Sequence, residues 1–296
     1  MPFVATLIAN PKTPVLSQSL AIAAQQALNA ASLNWLATGI ACDIDLPDDI
    51  SQHQAVEILE KLIASLPIDI AIQNKSGRRK KALIADMDST MIEQECIDEL
   101  AGEIGVREQV AKITAKAMNG EIEFATALRQ RVALLQGLPE AVCAEVIAKR
   151  ITLASGGKTL LATMKNNKAY CALVSGGFTL FTQPIAAALG FDENRANVLL
   201  VKGGKLTGKV AEPILGSDAK VDALNDIATQ KNLAPEDFIA VGDGANDLAM
   251  LQRAGTGVAM HAKPVVAAAA KISVNHADLT ALLYLQGYRM ADFAKG

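Results

Sequence analysis

Residues 82–90, Ala82-Leu83-Ile84-Ala85-Asp86-Met87-Asp88-Ser89-Thr90, run four apolar residues straight into two acids and two hydroxyls. A short apolar run that stops at turn-forming polar residues is the pattern of a buried strand. Two later stretches end the same way: Ala172-Leu173-Val174 on Ser175, and Ile239-Ala240-Val241-Gly242 on Asp243. Strand and helix alternate around them, with strands at 169–174 and 238–241 and helices near 179–189, 218–231 and 247–254. That rhythm predicts an α/β fold built on a Rossmann-like parallel sheet. In such a sheet the strand ends meet at one edge, where ligands bind, so Asp86, Ser175 and Asp243 are expected to share a site.

Outward from this core, residues 96–150 read as helix without strand candidates, punctuated by Gly105, Gly120 and Gly137 into four helices. Residues 198–202 and 205–210 flank Gly203-Gly204, a two-residue hairpin signal expected to be a side feature. Before the core, residues 1–75 alternate extended and Ala/Leu-rich helical runs in the order βαββαβ, the pattern of a small ferredoxin-like α+β unit. The polar segment 74–81 reads as a linker, with the basic run Arg78–Lys81 solvated. The expected division is an α+β domain at 1–75, a core at 80–95 and 156–296, and a helical insert at 96–155.

With 296 residues, 51% of them hydrophobic, the chain can bury a sizeable core. Its net charge of -3 and the lack of a basic cluster interleaved with aromatics argue against nucleic acid as a partner. No apolar stretch approaches the length of a membrane span and no signal-peptide pattern opens the chain, so a cytoplasmic protein is expected. Cys42, Cys96, Cys143 and Cys171 form no CxxC pair, which suggests buried thiols rather than a disulfide or zinc framework.

The chemistry follows from residue types. A turn after Asp86 lets Asp86 and Asp88 reach a common point, and with Asp243 they offer hard oxygen ligands that suit magnesium. A carboxylate can attack phosphorus while a neighbouring carboxyl protonates the leaving oxygen and then activates water. Ser175, Gly176 and Gly177 supply a hydroxyl and amides able to cradle phosphate at a strand-to-helix turn, and Lys220 adds a positive charge. In Gly242-Asp243-Gly244-Ala245-Asn246-Asp247 the glycines permit a tight turn that presents Asp243 and Asp247. Phe124, Leu128, Arg131 and Leu135 share one helix stripe, so Arg131 interrupts an apolar face and wants a partner. Simpler readings exist: DMDST as a capped turn, Lys220 as a surface lysine, Glu95 as a helix-start acid, Arg131 paired within the insert. Gly156-Gly157-Lys158-Thr159 mimics a P-loop end, but Thr152 stands where its first glycine belongs.

DMDST, VSGGF, a lysine and VGDGAND, in this order, resemble the haloacid dehalogenase (HAD) superfamily of phosphatases. Residues 83 to about 283, with IEQECIDELA, AMNGEIEF, ALRQRVALLQGL and GVAMHAKP, resemble its phosphoserine phosphatase family. The resemblance implies a Rossmann-like HAD core under a helical cap, with Asp86 as nucleophile and Asp88 as general acid/base. It implies magnesium held by Asp86, Asp243 and the Asp88 backbone carbonyl, with Asp247 supporting the metal. Ser175, Gly176, Lys220 and Asn246 would order the phosphate. Glu95 and Arg131 would take the ammonium and carboxylate of O-phospho-L-serine, and Met118 and Phe124 would cover it. The function so implied is hydrolysis to L-serine and phosphate, the last step of serine synthesis. Another small phosphomonoester, or transfer to an alcohol, stands as the alternative. The N-terminal unit resembles ACT-type domains, which implies L-serine binding there, and homodimerisation is left open.

Overall fold

The computed structural model describes residues 2–118 and 121–295. The chain opens with β1 (Phe3–Ala9), α1 (Gln18–Ala27), β2 (Leu33–Ala37), β3 (Ala41–Asp45), α2 (Gln52–Ile63) and β4 (Ile68–Asn74). The strands form an antiparallel sheet in the order β2-β3-β1-β4, the ferredoxin-like arrangement. Both helices start at serine caps: Ser17 accepts from the Leu20 amide, and Ser51 shares a reciprocal capping box with Gln54. Side chains alternate across a strand. Ala5, Leu7, Ala9, Cys42 and Ile44 therefore pack under the helices, while Ile8, Ala41 and Ala71 face the other way and join the main core of the molecule.

The second unit begins with β5 (Ala82–Ala85) and four helices, α3 (Cys96–Glu103), α4 (Arg107–Met118), α5 (Phe124–Ala133) and α6 (Ala141–Arg150). There follow α7 (Gly157–Asn166), β6 (Tyr170–Phe178), α8 (Thr179–Leu189), β7 (Glu193–Asn197), β8 (Leu199–Lys202), β9 (Lys205–Val210), α9 (Ser217–Lys231) and β10 (Phe238–Gly242). The chain closes with α10 (Leu248–Arg253), β11 (Thr256–Met260), α11 (Pro264–Ala269), β12 (Ile272–Val274) and α12 (Ala281–Leu285). Six parallel strands stand in the order β12-β11-β10-β5-β6-β7. The chain builds outward from β5 through β6 to β7, then returns to β10 on the other side. The strand order thus reverses at β5, and the carboxyl ends of β10, β5 and β6 lie side by side at that switch point. Both faces are buried: Leu83, Ala85, Leu173 and Val241 belong to one apolar cluster, Ala82, Ile84, Val174 and Ala240 to the other.

Gly203 and Gly204 both take positive φ, as a two-residue hairpin requires. The β8–β9 hairpin is more than a side feature, because it braces the helices inserted after β5. The Gly137 amide donates to the Leu206 carbonyl (2.9 Å), the Leu206 amide to Leu138 (2.8 Å) and the Glu140 amide to Gly204 (2.9 Å). Arg129 on α5 adds a two-pronged contact with Glu212, just beyond β9.

The basic linker is not simply solvated. Arg78 pairs with Asp43, whose other oxygen accepts from Thr6; Lys75 pairs with Asp45; and the Arg79 guanidinium lies 3.9 Å above the Tyr288 ring. The reason is visible in β3, which presents Asp43 and Asp45 on the side the linker crosses. Asp69 on β4, only 5% exposed, accepts from the amides of Asn275 (2.7 Å), His276 (3.2 Å) and Ala277 (2.9 Å) just after β12. Removing this carboxylate leaves the buried Ala277 amide unpaired and strips the part-buried Asn275 and His276 amides of their acceptor. Asp69→Ala is expected to lower unfolding stability by about 2 kcal/mol, seen calorimetrically as a lower midpoint or as separate melting of the two units. An unchanged melt would show that the clasp contributes nothing.

Candidate active site

Asp86 continues β5, its amide donating to the Val241 carbonyl of β10 (3.0 Å). The backbone then turns: the amides of Thr90, Met91 and Ile92 all return to the Met87 carbonyl (3.3, 2.9 and 3.1 Å), and Ser89 adopts φ +55°. The turn sends Asp88 toward the inserted helices, where its Oδ1 accepts from the Cys96 amide at the start of α3 (3.0 Å). Glu95, the residue before that helix, makes no cap bond of its own and instead accepts from the Ser89 hydroxyl (2.7 Å).

Lys220, on α9, reaches under this turn and is 2% exposed. Its Nζ lies 2.7 Å from Asp86 Oδ1 and 2.5 Å from Asp247 Oδ1. Asp247 is fully buried, and its second oxygen accepts from the Gly244 amide (2.9 Å). Gly242 makes this approach possible, since a Cβ there would stand 2.4 Å from the Asp247 carboxyl carbon. Thr90, buried, donates to Asp243 Oδ1 (3.2 Å).

The electrostatics are those of crowded carboxylates. Burial pushes Asp86 well above the usual carboxylate range; Lys220 pulls it back, while Asp247 and Asp88 push further. Burial, with Glu95 adding, lifts Asp88 to about 7, and burial with Asp247 and Glu95 lifts Asp243 to about 6. Burial would depress the Lys220 ammonium, but Asp86 and Asp247 outweigh it and hold the charge firmly in place.

One oxygen from each of Asp86, Asp243 and Asp247 lies within 4.8 Å of the others, a spacing and donor type that fit a hard divalent cation. The Asp88 side chain is not in this group of carboxylates, being turned to the α3 amide, while the ligand expected of Asp88 through the resemblance is its backbone carbonyl. Asp247, expected only in support, is in the group.

Ser175 is buried at the end of β6, and its Oγ accepts from the Gly177 amide (2.9 Å). Strand β6 runs on to Phe178 with a register shift against β7 after Val174, so Ser175, Gly176 and Gly177 form a bulged strand end rather than a strand-to-helix turn. A Cβ on Gly177 would sit 3.0 Å from Asp88 Oδ2 and 3.1 Å from Ser175 Oγ, so these groups surround one small space. Asn246 is half-buried, its carboxamide folded over Gly244.

Phe124, 37% exposed at the start of α5, brings its ring 3.4 Å from where a Gly176 Cβ would stand. The inserted helices thus touch the sheet edge and act as a cap. Arg131, about two turns further along, has no ion pair among the described residues, only two long contacts to the Ala127 carbonyl and Thr114 Oγ1 (3.4 Å each). Burial lowers its pKa while Asp98 and Glu95 raise it, which places two carboxylates in its field. Met118 ends α4, and its side chain lies outside the described residues. Sequence reasoning missed Thr90, although DMDST contains it, and Asn197, for which no motif gave a signal.

The residue pattern of the haloacid dehalogenase-like hydrolases matches residues 83–252. A phosphoserine phosphatase of Archaeoglobus fulgidus is 41% identical over 239 residues, covering 79% of this chain and 69% of that protein. One from Methanocaldococcus jannaschii is 43% identical over 206 residues, covering 70% of this chain and 97% of its own length. Among solved structures, a HAD family hydrolase from Salmonella enterica serovar Typhi superposes with TM-score 0.84 at 31% identity, covering 96% of this chain and 98% of that one. A substrate-bound phosphoserine phosphatase superposes at TM-score 0.65 and 42% identity, covering 70% and 98%. With more than half its length matched and the acidic strand ends gathered at one sheet edge, the chain belongs to the haloacid dehalogenase-like hydrolases.

Proposed function

We propose that this chain is a magnesium-dependent phosphatase that hydrolyses O-phospho-L-serine to L-serine and phosphate, the last step of serine synthesis. The observation that carries the reading is the guanidinium of Arg131, without an ion-paired carboxylate among the described residues, on the same inserted helices whose Cys96 amide holds Asp88 and whose Phe124 packs on Gly176. A phosphate monoester bearing a carboxylate and an ammonium answers Arg131 and Glu95 together. The likeness to relatives that carry the name phosphoserine phosphatase supports the same substrate.

In this mechanism Asp86 attacks phosphorus, the bond from phosphorus to the serine oxygen breaks, and the Asp88 carboxyl gives its proton to that oxygen. Asp88, now a carboxylate, takes a proton from water; the water oxygen attacks phosphorus and releases phosphate from Asp86. A pKa lifted to about 7 suits a group that must give and regain a proton near neutrality. Ser175 Oγ, the Gly176 amide and the Lys220 ammonium donate to the equatorial oxygens as charge spreads over them. Asp86, Asp243 and Asp247 would hold magnesium, which when bound neutralises phosphate charge and relieves the repulsion among these carboxylates. Phe124 excludes water from the closed site.

The N-terminal unit leaves room for an amino-acid site only away from the sheet face that meets the core, because Ile8, Leu36, Ile40 and Ala71 are buried in that contact.

Phosphate release from phosphoserine is expected to require magnesium and stop with EDTA, and Asp86→Asn is expected to abolish it. Asp88→Asn should lower kcat by about 100-fold or more. Arg131→Ala should raise KM for phosphoserine by roughly 10- to 100-fold, the loss of a charge-assisted pair, while leaving phosphoethanolamine, which lacks the carboxylate, unaffected. Equal effects on both substrates would remove Arg131 from carboxylate recognition, and preference for another phosphomonoester would replace the substrate.

A further inference from the structure

Asn197 ends β7, is 2% exposed, and spends its whole carboxamide on two backbone segments of the site. Its Nδ2 donates to the Gly176 carbonyl (2.9 Å) and to the Leu215 carbonyl (3.2 Å), and its Oδ1 accepts from the Leu215 amide (2.8 Å). Gly176 lies between Ser175 and Gly177, the groups that face Asp88. Leu215 stands two residues before Ser217, where the helix carrying Lys220 begins. Phe124 of the cap touches both segments, with its ring 3.4 Å from a Cβ built on Gly176 and 3.7 Å from one built on Gly216.

Two adjacent glycines have little conformational preference of their own, so the placement of the Ser175 end must be imposed from outside. Among the described residues no side chain but Asn197 is bonded to the Gly176 carbonyl. An amide side chain suits this post because it donates and accepts at once, which neither a carboxylate nor a hydroxyl with one proton does for three partners in this geometry.

We propose that Asn197 is a positioning residue: its carboxamide fixes the Ser175–Gly177 strand end against the entry to α9, so that Ser175, the Gly176 amide and Lys220 meet the same phosphoryl group. The proposal rests on the reading that a phosphoryl group occupies this space. Misplacing donors by an ångström costs far more in rate than in ground-state binding of the rest of a substrate.

The test compares wild type with Asn197→Ala and with the isosteric Asn197→Asp, which keeps the acceptor toward Leu215 and loses both donors. Circular dichroism and thermal melts establish folding. Both variants are expected to lose about 10- to 100-fold in kcat and to bind inorganic phosphate correspondingly more weakly by calorimetry with magnesium present. Inhibition by L-serine, which contains no phosphoryl group, should stay unchanged. A folded Asn197→Asp with unaltered kcat and phosphate affinity, altered only in its melting temperature, would overturn the proposal and leave Asn197 a packing residue. If Asn197→Ala does not fold, the aspartate variant alone decides. If wild type releases no phosphate from phosphoserine, the functional reading fails separately, and the phosphate titrations still judge Asn197.

Discussion

A buried ammonium held between two buried carboxylates is the contact on which the rest of the site depends. Lys220 cannot be taken out of water alone, and neither can Asp86 or Asp247; each is tolerable in the interior only because the others are there. The three residues come from α9, the end of β5 and the turn after β10, so their pairing locks together segments far apart in the chain. It also leaves the balance of charge unfinished. Asp86, Asp88, Asp243 and Asp247 face one lysine among the described residues, and the raised protonation of Asp86, Asp88 and Asp243, driven by burial and by neighbouring carboxylates, marks a site built for additional positive charge.

The sheet makes that concentration of charge affordable. Strand ends at the switch point are open to ligand yet backed by two apolar layers, which hold the carboxylates still. The N-terminal unit adds to the same core instead of hanging from a loose tether: one face of its sheet enters the apolar cluster, and Asp69 gathers three backbone amides beyond β12.

Much of this was legible in the chain itself. Three apolar runs ending on Asp86, Ser175 and Asp243 are a strand signal and a site signal at once, and the glycine pair at 203–204 left little choice of turn. Strands that are polar or short left no such signal. Glu193–Asn197 forms β7 with no apolar alternation to announce it, because its partner strand and α8 supply the burial, and Ile272–Val274 is too brief for a period to show. The roles of side chains that serve the backbone were equally silent. Asn197 is a lone asparagine in sequence, and only the folded chain brings Gly176 and Leu215 to it. Arg78 read as solvent-facing because its partner Asp43 lies 35 residues earlier in an unrelated strand.

The brace between the β8–β9 hairpin and the loop after α5 works as a ruler. Its root is at Asn197 and Ala211, and its far end holds Gly137, Leu138 and Glu140 by backbone bonds that carry no side-chain information. The height of the cap above the sheet edge is therefore written in the number of residues per arm. Lengthening each arm by two residues would lift the contact by roughly 7 Å at the rise of an extended strand. The inserted helices would then stand further from the strand ends with no exchange of any residue at those ends, so hairpin length offers such a fold a way to change what reaches the acidic cluster while leaving the cluster itself intact.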